Sequence, residues 1–177
     1  MSEKSKSAAT GTEASESQVV LERTYAARVE ELWKLWTTKE GFESWWGPEG
    51  FRAEVHTLEA RVGGILHYDM IANAPEMIAA MQRMGRPTSH EARARFTEFK
   101  PLERVAITSV IDFLPGVEPY ESTIGVDFFP SGKSVRMVVT LQPMHDEEFT
   151  KMSTMGFTSQ LTKLHRRFLG AEPPAAG

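Results

Sequence analysis

The chain has 177 residues, a formal net charge of −4 and no cysteine, so disulfides cannot hold it together. This length suggests one domain, which can bury about two thirds of the surface that the unfolded chain exposes. The acidic balance argues against a nucleic-acid partner. No apolar run reaches the roughly 20 residues of a membrane span, and the N-terminus lacks the apolar core of a secretory signal. We therefore expect a soluble, cytoplasmic protein with no membrane partner.

The two ends of the chain differ in composition from its centre. Apart from Met1, residues 1–17 and 171–177 carry only small, polar or charged side chains and proline. Such segments cannot bury enough apolar surface to offset the entropy lost on ordering. We predict a disordered N-terminal tail at 1–17, a single domain at 18–170 and a flexible tail at 171–177.

The domain begins with a predicted strand at 18–27 and a short amphipathic helix. The apolar residues of this helix recur three and four positions apart, at Val29, Leu32, Trp33 and Trp36, as on one helical face. Thr37 and Glu40 match the capping box of a second helix, which the pair Gly47-Pro48 would end. The two helices are expected to meet in a V that contains all four tryptophans. We expect at most one of the adjacent Trp45 and Trp46 to reach a cavity, since neighbours on a helix point about 100° apart.

Six further strands and a long helix are predicted after the V. The strand segments are 51–59, 65–72, 91–100, 104–113, 121–129 and 134–142, and a tight turn at 130–132 joins the last two. Consecutive strands without long helices between them favour an antiparallel sheet. The last helix has an apolar face from Phe149 to Phe168, with acidic residues in its first turn and basic residues in its last, as the helix dipole favours.

An insertion at about 74–88 separates two of these strands. Proline near its start and beyond its end, with glycine before the second proline, predicts a short helix. Met77, Met81 and Met84 lie on one face of this helix. We expect that face to pack against the sheet edge. A lid over a cavity mouth, facing Phe113 on the opposite rim, and a homodimer contact are alternatives, because methionine adapts to varied partners.

Several motifs occur in the order typical of one family. They are Phe42-x-x-Trp45-Trp46-Gly47-Pro48, Arg61-Val62-Gly63-Gly64, Glu98-Phe99-Lys100-Pro101-Leu102-Glu103-Arg104 and Gly156-Phe157. Over about residues 20–169 the chain resembles the family of the C-terminal domain of the activator of the 90-kDa heat-shock chaperone ATPase. That family belongs to the START-like (SRPBCC) superfamily, which has the fold of the birch-pollen allergen. Phe157 departs from the family pattern, in which tryptophan is more common.

The resemblance implies an α+β helix-grip fold. An antiparallel sheet of about seven strands would wrap around a long C-terminal helix, with two short helices after the first strand. It also implies a cavity between sheet and helix, where we expect a small hydrophobic molecule and no cofactor. The expected ligand-binding residues are Trp46, Leu66, Tyr68, Met70, Met77, Met81, Phe113, Phe128, Arg136, Met152 and Gly156.

The direction of Arg136 is left open by its strand, in which neither phase is wholly apolar. Charged side chains are rarely buried unpaired, which favours the outer face of the sheet. An inward Arg136 would instead predict an anionic or carbonyl-bearing ligand. On the strand at 91–100, the apolar phase of Ala92, Ala94 and Phe96 is expected to face inward, with Arg93 and Arg95 outward.

No catalytic signature is present, because an activated nucleophile needs a base beside a serine, threonine or cysteine. His67 and Asp69 share a strand face, but no third ligand completes a metal site. Asp146 beside His145 is expected to cap the last helix. The alternative is an enzyme resembling the cyclases and hydrolases of the superfamily, with candidate groups Asp112, Glu121, Arg136 and His145. A co-chaperone role is the third hypothesis, although no chaperone partner is expected, since that role belongs to longer eukaryotic relatives with a second domain.

Overall fold

The structure, a computed structural model, describes residues 18–112 and 114–168 and the backbone of Leu169. Both predicted tails lie outside these residues. The elements in chain order are β1 (Val19–Tyr25), α1 (Val29–Thr37), α2 (Lys39–Glu43), β2 (Phe51–Leu58), β3 (Ile65–Ala72), α3 (Pro75–Arg83), β4 (Ser89–Lys100), β5 (Arg104–Ile111), β6 (Tyr120–Ser131), β7 (Ser134–Leu141) and α4 (Glu147–Leu169).

The strands form one antiparallel sheet in the order β1-β7-β6-β5-β4-β3-β2, which confirms the predicted α+β helix-grip fold. The side chains of each strand alternate between an inner face, towards α4, and an outer face. The register pairs Phe96 with Ile107, Ile107 with Ile124 and Val126 with Val139, so the apolar phases of neighbouring strands coincide on the inner face. Arg93 and Arg95 accordingly lie on the outer face.

Helix α4 contacts the inner face mainly with its C-terminal half. Phe157, Leu161 and Leu164 are buried there, at positions that share one helical face. In the N-terminal half, Met152 is 58% exposed and Met155 is 65% exposed. Met152, which we expected on the apolar face and among the ligand-binding residues, therefore does not face the sheet. The next residue, Ser153, lines a cavity under α4. Because adjacent helical residues point about 100° apart, Met152 is turned away from the sheet.

The V of α1 and α2 is joined by an aromatic cluster. The Trp36 ring lies 5.2 Å from that of Trp45 and 5.5 Å from that of Trp46, and Phe157 of α4 contacts all three rings. Trp45 donates its indole N–H to the Leu35 carbonyl at 2.8 Å, whereas Trp46 donates to the Tyr68 hydroxyl at 3.0 Å. Trp45 thus joins the two helices to each other, and Trp46 joins them to the sheet.

Two local predictions are displaced along the chain. Helix α2 is capped by Thr38, whose side chain accepts a hydrogen bond from the Gly41 N–H at 3.0 Å, so the prediction of Thr37 as the cap is wrong. Thr37 ends α1 and donates its hydroxyl to the Trp33 carbonyl. The β6–β7 turn consists of Gly132 and Lys133, because Ser131 pairs with Ser134 and Gly132 has φ of 62°. The prediction had placed this turn at 130–132.

Tyr25, at the end of β1, has a buried hydroxyl with no hydrogen-bond partner in the described part of the chain. Its side chain is 2% exposed, and burial raises its pKa from 10.0 to about 12. Because this pKa is higher in the folded protein than in the unfolded chain, the folded protein favours the protonated hydroxyl. The resulting contribution to stability is complete at pH values below 10. That contribution, about 2 to 3 kcal/mol at most, is lost as the pH rises from 10 to 12.

We therefore expect Tyr25→Phe to leave the free energy of unfolding at pH 7 unchanged or to raise it by up to about 1 kcal/mol, since no partner is left unsatisfied. At pH 11 to 12 the variant should exceed the wild type by a larger margin. Urea unfolding at pH 7, 10 and 11.5 measures both quantities. A margin that does not grow with pH would contradict the prediction.

Candidate ligand-binding cleft

A cavity of about 130 Å³ lies under the N-terminal half of α4, between that helix and the ends of β5, β6 and β7. Half of its lining side chains are polar and half are apolar. They are Ser109, Ile111, Ser122, Ile124, Leu141, Gln142, Met144 and Ser153. The exposed surface of the lining is mostly apolar with a few polar atoms, which suits a largely apolar molecule that carries a polar group.

Small side chains on the inner face leave this space. Ser109 and Ser122 are cross-strand partners. Both point to the inner face of the sheet, as do Ile107 further along β5 and Phe128 further along β6. A serine fills much less volume than either, so two adjacent serines open a gap in an otherwise closely packed layer. Serine in an apolar strand phase was the signal in the sequence that could have located the cavity.

Gly156 of α4 has open space beside it. A side-chain carbon placed on Gly156 would meet nothing within 4 Å, so there is open space beside the helix at this point. Gly156 lies three positions after Ser153 and four before Gln160, on the same flank of the helix. Gly156 is not among the residues that line the 130 Å³ cavity, so its place in a ligand site stays a prediction.

Gln160, one turn beyond Gly156 on α4, has an unsatisfied polar group. Its side chain is 3% exposed, and its Oε1 accepts a hydrogen bond from the Gly47 N–H at 2.9 Å. The amide nitrogen Nε2 has no partner among the described residues. A buried amide donor without an acceptor is unfavourable by about 1–3 kcal/mol, so an acceptor group brought by a ligand would be stabilised there.

Four predicted cavity residues lie in the core beneath the V. Trp46, Leu66, Tyr68 and Phe128 are at most 6% exposed, and none of them lines the 130 Å³ cavity. The Tyr68 hydroxyl accepts the Trp46 indole N–H, and burial raises the pKa of Tyr68 to about 12. These residues are therefore part of the core between the V and the sheet, and not of the cavity wall.

The methionines near α3 contact the loop that precedes β2. A side-chain carbon on Gly47 would approach the Met70 sulfur to 3.0 Å, and one on Gly50 would approach Met77 Cε to 3.5 Å. Met70, Met77 and Met81 are all partly exposed. Helix α3 therefore packs against this loop at the edge of the sheet, and its use as a lid or a dimer contact stays a prediction.

Arg136 lies on the outer face of the sheet and does not reach the cavity. Its guanidinium donates to Glu22 at 2.7 Å and lies 4.4 Å from the centre of the Phe129 ring. Its inclusion among the cavity residues, like that of Met152, is wrong, because strand alternation directs Val135 and Met137 inward instead. Phe113 lies outside the described residues.

Most of the candidate catalytic groups are also on the outer face. Asp112 is paired with Arg93, and Glu121 is paired with Arg95 at 2.7 Å; the hydrogen bond from Arg95 lowers the pKa of Glu121. Asp69 contacts His56 at 3.0 Å, although the sequence had suggested His67 as its companion. Within residues 18–112 and 114–169, no group of His, Asp and Glu side chains could hold a metal ion.

His145 is the exception, because it directly follows Met144, which lines the cavity. Its Nδ1 is 3.1 Å from the Tyr120 hydroxyl, and its Nε2 is 3.4 Å from Asp146 Oδ2. Asp146 Oδ1 caps α4 by accepting the Phe149 N–H at 2.7 Å, as predicted. The sequence did not indicate the contact with Tyr120, because 25 residues separate the two.

Larger grooves also lie on the surface. One, of about 760 Å³, runs between β1 and the start of α4 near Val19 and Met155. Another, of about 390 Å³, lies mainly on the outer face around His67 and Arg93, and a third, of about 280 Å³, lies beside α1 and α2 near Gly41. All three are more open to solvent than the 130 Å³ cavity, which is therefore the better candidate site. None of the helices in the described part of the chain is long and apolar enough to cross a membrane.

Solved structures with the same fold come from several bacteria. A protein from Chromobacterium violaceum is 21% identical, with 86% of this chain and 97% of that chain covered and a TM-score of 0.66. The AHSA1 protein from Silicibacter pomeroyi is 23% identical, with coverages of 85% and 96% and a TM-score of 0.65. A protein from Arthrobacter aurescens is 23% identical, with coverages of 88% and 81% and a TM-score of 0.62. At these identities the likeness concerns the fold.

The sequence comparison with families is more specific. No curated protein matches the chain. The profile of one family, described as Activator of Hsp90 ATPase homolog 1-like protein, matches residues 26–168, which is most of the chain and nearly all of its described part. The chain therefore belongs to the Activator of Hsp90 ATPase homolog 1-like family.

Proposed function

We propose that this protein binds a small amphipathic molecule in the cleft between the inner face of the sheet and helix α4. The observation that carries the proposal is the mixed lining of the 130 Å³ cavity, together with the open space beside Gly156. Ligand sites usually combine apolar walls with a few polar groups that orient the ligand, and this lining has both.

The size of the cavity limits the ligand. A volume of about 130 Å³ corresponds to roughly four water molecules at about 30 Å³ each, whereas sites for drug-sized molecules occupy roughly 300–1,000 Å³. A larger ligand would have to extend past Gly156 into the open part of the cleft. The exposed N-terminal half of α4 could also move outward, since the buried contacts of this helix are concentrated in its C-terminal half.

The charges around the cleft favour a neutral polar group on the ligand. Arg93, Arg95 and Arg136 are all paired with carboxylates on the outer face, so none of them compensates an anion in the cavity. Gln160 Nε2 offers uncharged N–H donors, and Ser109 and Ser122 offer hydroxyls. A ketone, ester or amide oxygen therefore matches the site better than a carboxylate does.

The experiment that tests this proposal fills the cleft from the helix side. Gly156→Leu places a large apolar side chain in the open space beside α4, and Thr162→Leu is the matched control on the exposed side of the same helix. Binding of a panel of small ketones, aromatic esters and fatty-acid amides is measured by tryptophan fluorescence and thermal shift. We expect wild type and Thr162→Leu to bind alike and Gly156→Leu to bind at least tenfold more weakly.

Stability separates this effect from misfolding. Glycine is disfavoured in helix interiors by about 1 kcal/mol relative to alanine, so Gly156→Leu should unfold at the same or a higher temperature than the wild type. If no compound of the panel binds the wild type, or if Gly156→Leu binds as tightly as Thr162→Leu, the proposed site is wrong.

A further inference from the structure

The side chains of Tyr120, His145 and Asp146 form a polar cluster beside the cavity. Tyr120 is the cross-strand partner of Ile111 and lies two positions before Ser122, on the same inner face of the sheet. His145 directly follows Met144. Since Ile111, Ser122 and Met144 all line the cavity, the cluster borders the space in which we propose that the ligand binds.

The hydrogen bonds around the Tyr120 hydroxyl determine where its proton lies. The oxygen accepts the backbone N–H of His145 at 3.3 Å, and it lies 3.1 Å from Nδ1 of the same residue. The Asp146 carboxylate, 3.4 Å from Nε2, favours the tautomer that carries its proton on Nε2, and Nδ1 is then free to accept the Tyr120 hydroxyl proton. In this tautomer the imidazole can accept a proton at Nδ1.

The imidazole is held in this orientation from two sides. The Phe149 ring lies 4.9 Å from the imidazole and the Tyr120 ring lies 5.8 Å from it. The Asp146 carboxylate is fixed by its second oxygen, which caps α4. A carboxylate next to an imidazole, which in turn contacts a hydroxyl, is an arrangement by which a base can activate the hydroxyl group.

We propose that Tyr120 is a base-activated hydroxyl that transfers protons to and from the bound ligand. In the forward step, the Tyr120 oxygen takes a proton from an acidic C–H of the ligand while its own proton passes to His145 Nδ1. The products are a ligand enolate and an imidazolium, whose charge Asp146 compensates. Return of the proton through Tyr120 to another atom of the ligand completes a tautomerisation that needs no oxidant, reductant or co-reactant.

The substrate class follows from this chemistry. It is a small neutral carbonyl compound with an acidic hydrogen on the adjacent carbon. This inference rests on the ligand binding proposed above and specifies the ligand. The hydroxyls of Ser109 and Ser122, which line the cavity near Tyr120, are uncharged donors for the carbonyl oxygen and for the enolate that forms on it.

The activation of Tyr120 can be measured without any ligand, by its reaction with phenylmethanesulfonyl fluoride. The tyrosine oxygen forms a bond to sulfur, fluoride leaves, and the phenol proton passes to His145. Only three tyrosines are present, and the other two, Tyr25 and Tyr68, are buried with pKa values raised to about 12. Peptide mapping by mass spectrometry should therefore find the label at Tyr120, at a rate above that of N-acetyltyrosine amide in the same solution.

Two variants separate activation from simple exposure of the ring. His145→Gln keeps a hydrogen-bonding side chain but no base, and should lower the labelling rate at least tenfold. Asp146→Asn keeps a residue type suited to capping α4 but loses the charge, and should lower the rate by a few-fold. Thermal unfolding serves as the folding control. Equal labelling rates in wild type and His145→Gln would contradict the activation of Tyr120.

Proton transfer itself is measured with 2-indanone as the probe, by exchange of its α-hydrogens for deuterium in D₂O, followed by NMR. We expect faster exchange with the wild type than with Tyr120→Phe or His145→Gln. Equal exchange in all three would overturn the proton-transfer role. Because labelling requires no occupied cleft, fast labelling without exchange would count against this substrate class, whereas failure of the Gly156→Leu experiment would count against the cleft.

Discussion

Replacing Trp45 with alanine is expected to lower the free energy of unfolding by about 3–5 kcal/mol, the range for removal of a large buried aromatic side chain. Trp45 is 1% exposed and contacts the rings of Trp36, Trp46 and Phe157. Its removal leaves a cavity where α1, α2 and α4 meet. It also leaves the Leu35 carbonyl without the indole N–H that it accepts.

Trp45→Phe is the matched variant for this experiment. It keeps an aromatic ring in the cluster but removes the N–H, so it should cost about 1–3 kcal/mol, mainly from the unpaired Leu35 carbonyl. Urea unfolding at pH 7 followed by far-UV circular dichroism measures both variants without relying on tryptophan fluorescence. A loss below 1 kcal/mol for Trp45→Ala would show that the V does not depend on this side chain.

Gly64→Ala is expected to destabilise the protein by about 3 kcal/mol or more, because the new side chain has no space. The added carbon would lie 2.0 Å from the Glu59 carbonyl oxygen and 2.9 Å from that of Arg61. Both are backbone atoms and cannot move aside as a flexible side chain would. The turn is also anchored to β4, since Phe96 donates its N–H to the Gly64 carbonyl at 2.9 Å.

Gly63→Ala tests the adjacent glycine, for which space is not the constraint. A side-chain carbon there would meet nothing within 4 Å, but Gly63 has φ of 80°, a conformation that costs other residues about 1–2 kcal/mol. Urea unfolding should therefore show a smaller loss for Gly63→Ala than for Gly64→Ala. The opposite order would contradict the assignment of a steric role to Gly64 and a conformational role to Gly63.

The two adjacent glycines of this motif are required for different physical reasons. The pair Gly63-Gly64 occurs within a motif of the family and marks the turn before β3. Its presence in the sequence predicts a turn, but it does not distinguish a left-handed backbone from a close approach of two chain segments. That distinction depends on where the Glu59 carbonyl lies, and hence on the packing of the whole turn.

The fold was largely predictable from the sequence, because its main signals are local. Alternation with a period of two identifies the inner phase of a strand, so Ala92, Ala94 and Phe96 were correctly placed opposite Arg93 and Arg95. The length and charge pattern of α4 identified that helix. Two predictions were wrong by one residue: the cap of α2 is Thr38 and not Thr37, and Ser153 and not Met152 faces the sheet. Local patterns do not fix helix boundaries and faces more exactly than this.

The candidate site depended on the tertiary structure. The cavity exists because the sheet register sets Ser109 beside Ser122 and because α4 passes over both at Ser153. The Tyr120–His145 contact likewise joins the start of β6 to the end of the loop before α4. Composition and periodicity thus determined the α+β architecture and the core of this protein. Only long-range register and helix placement decided where space remains and which polar groups border it, since these depend on contacts between residues far apart in the chain.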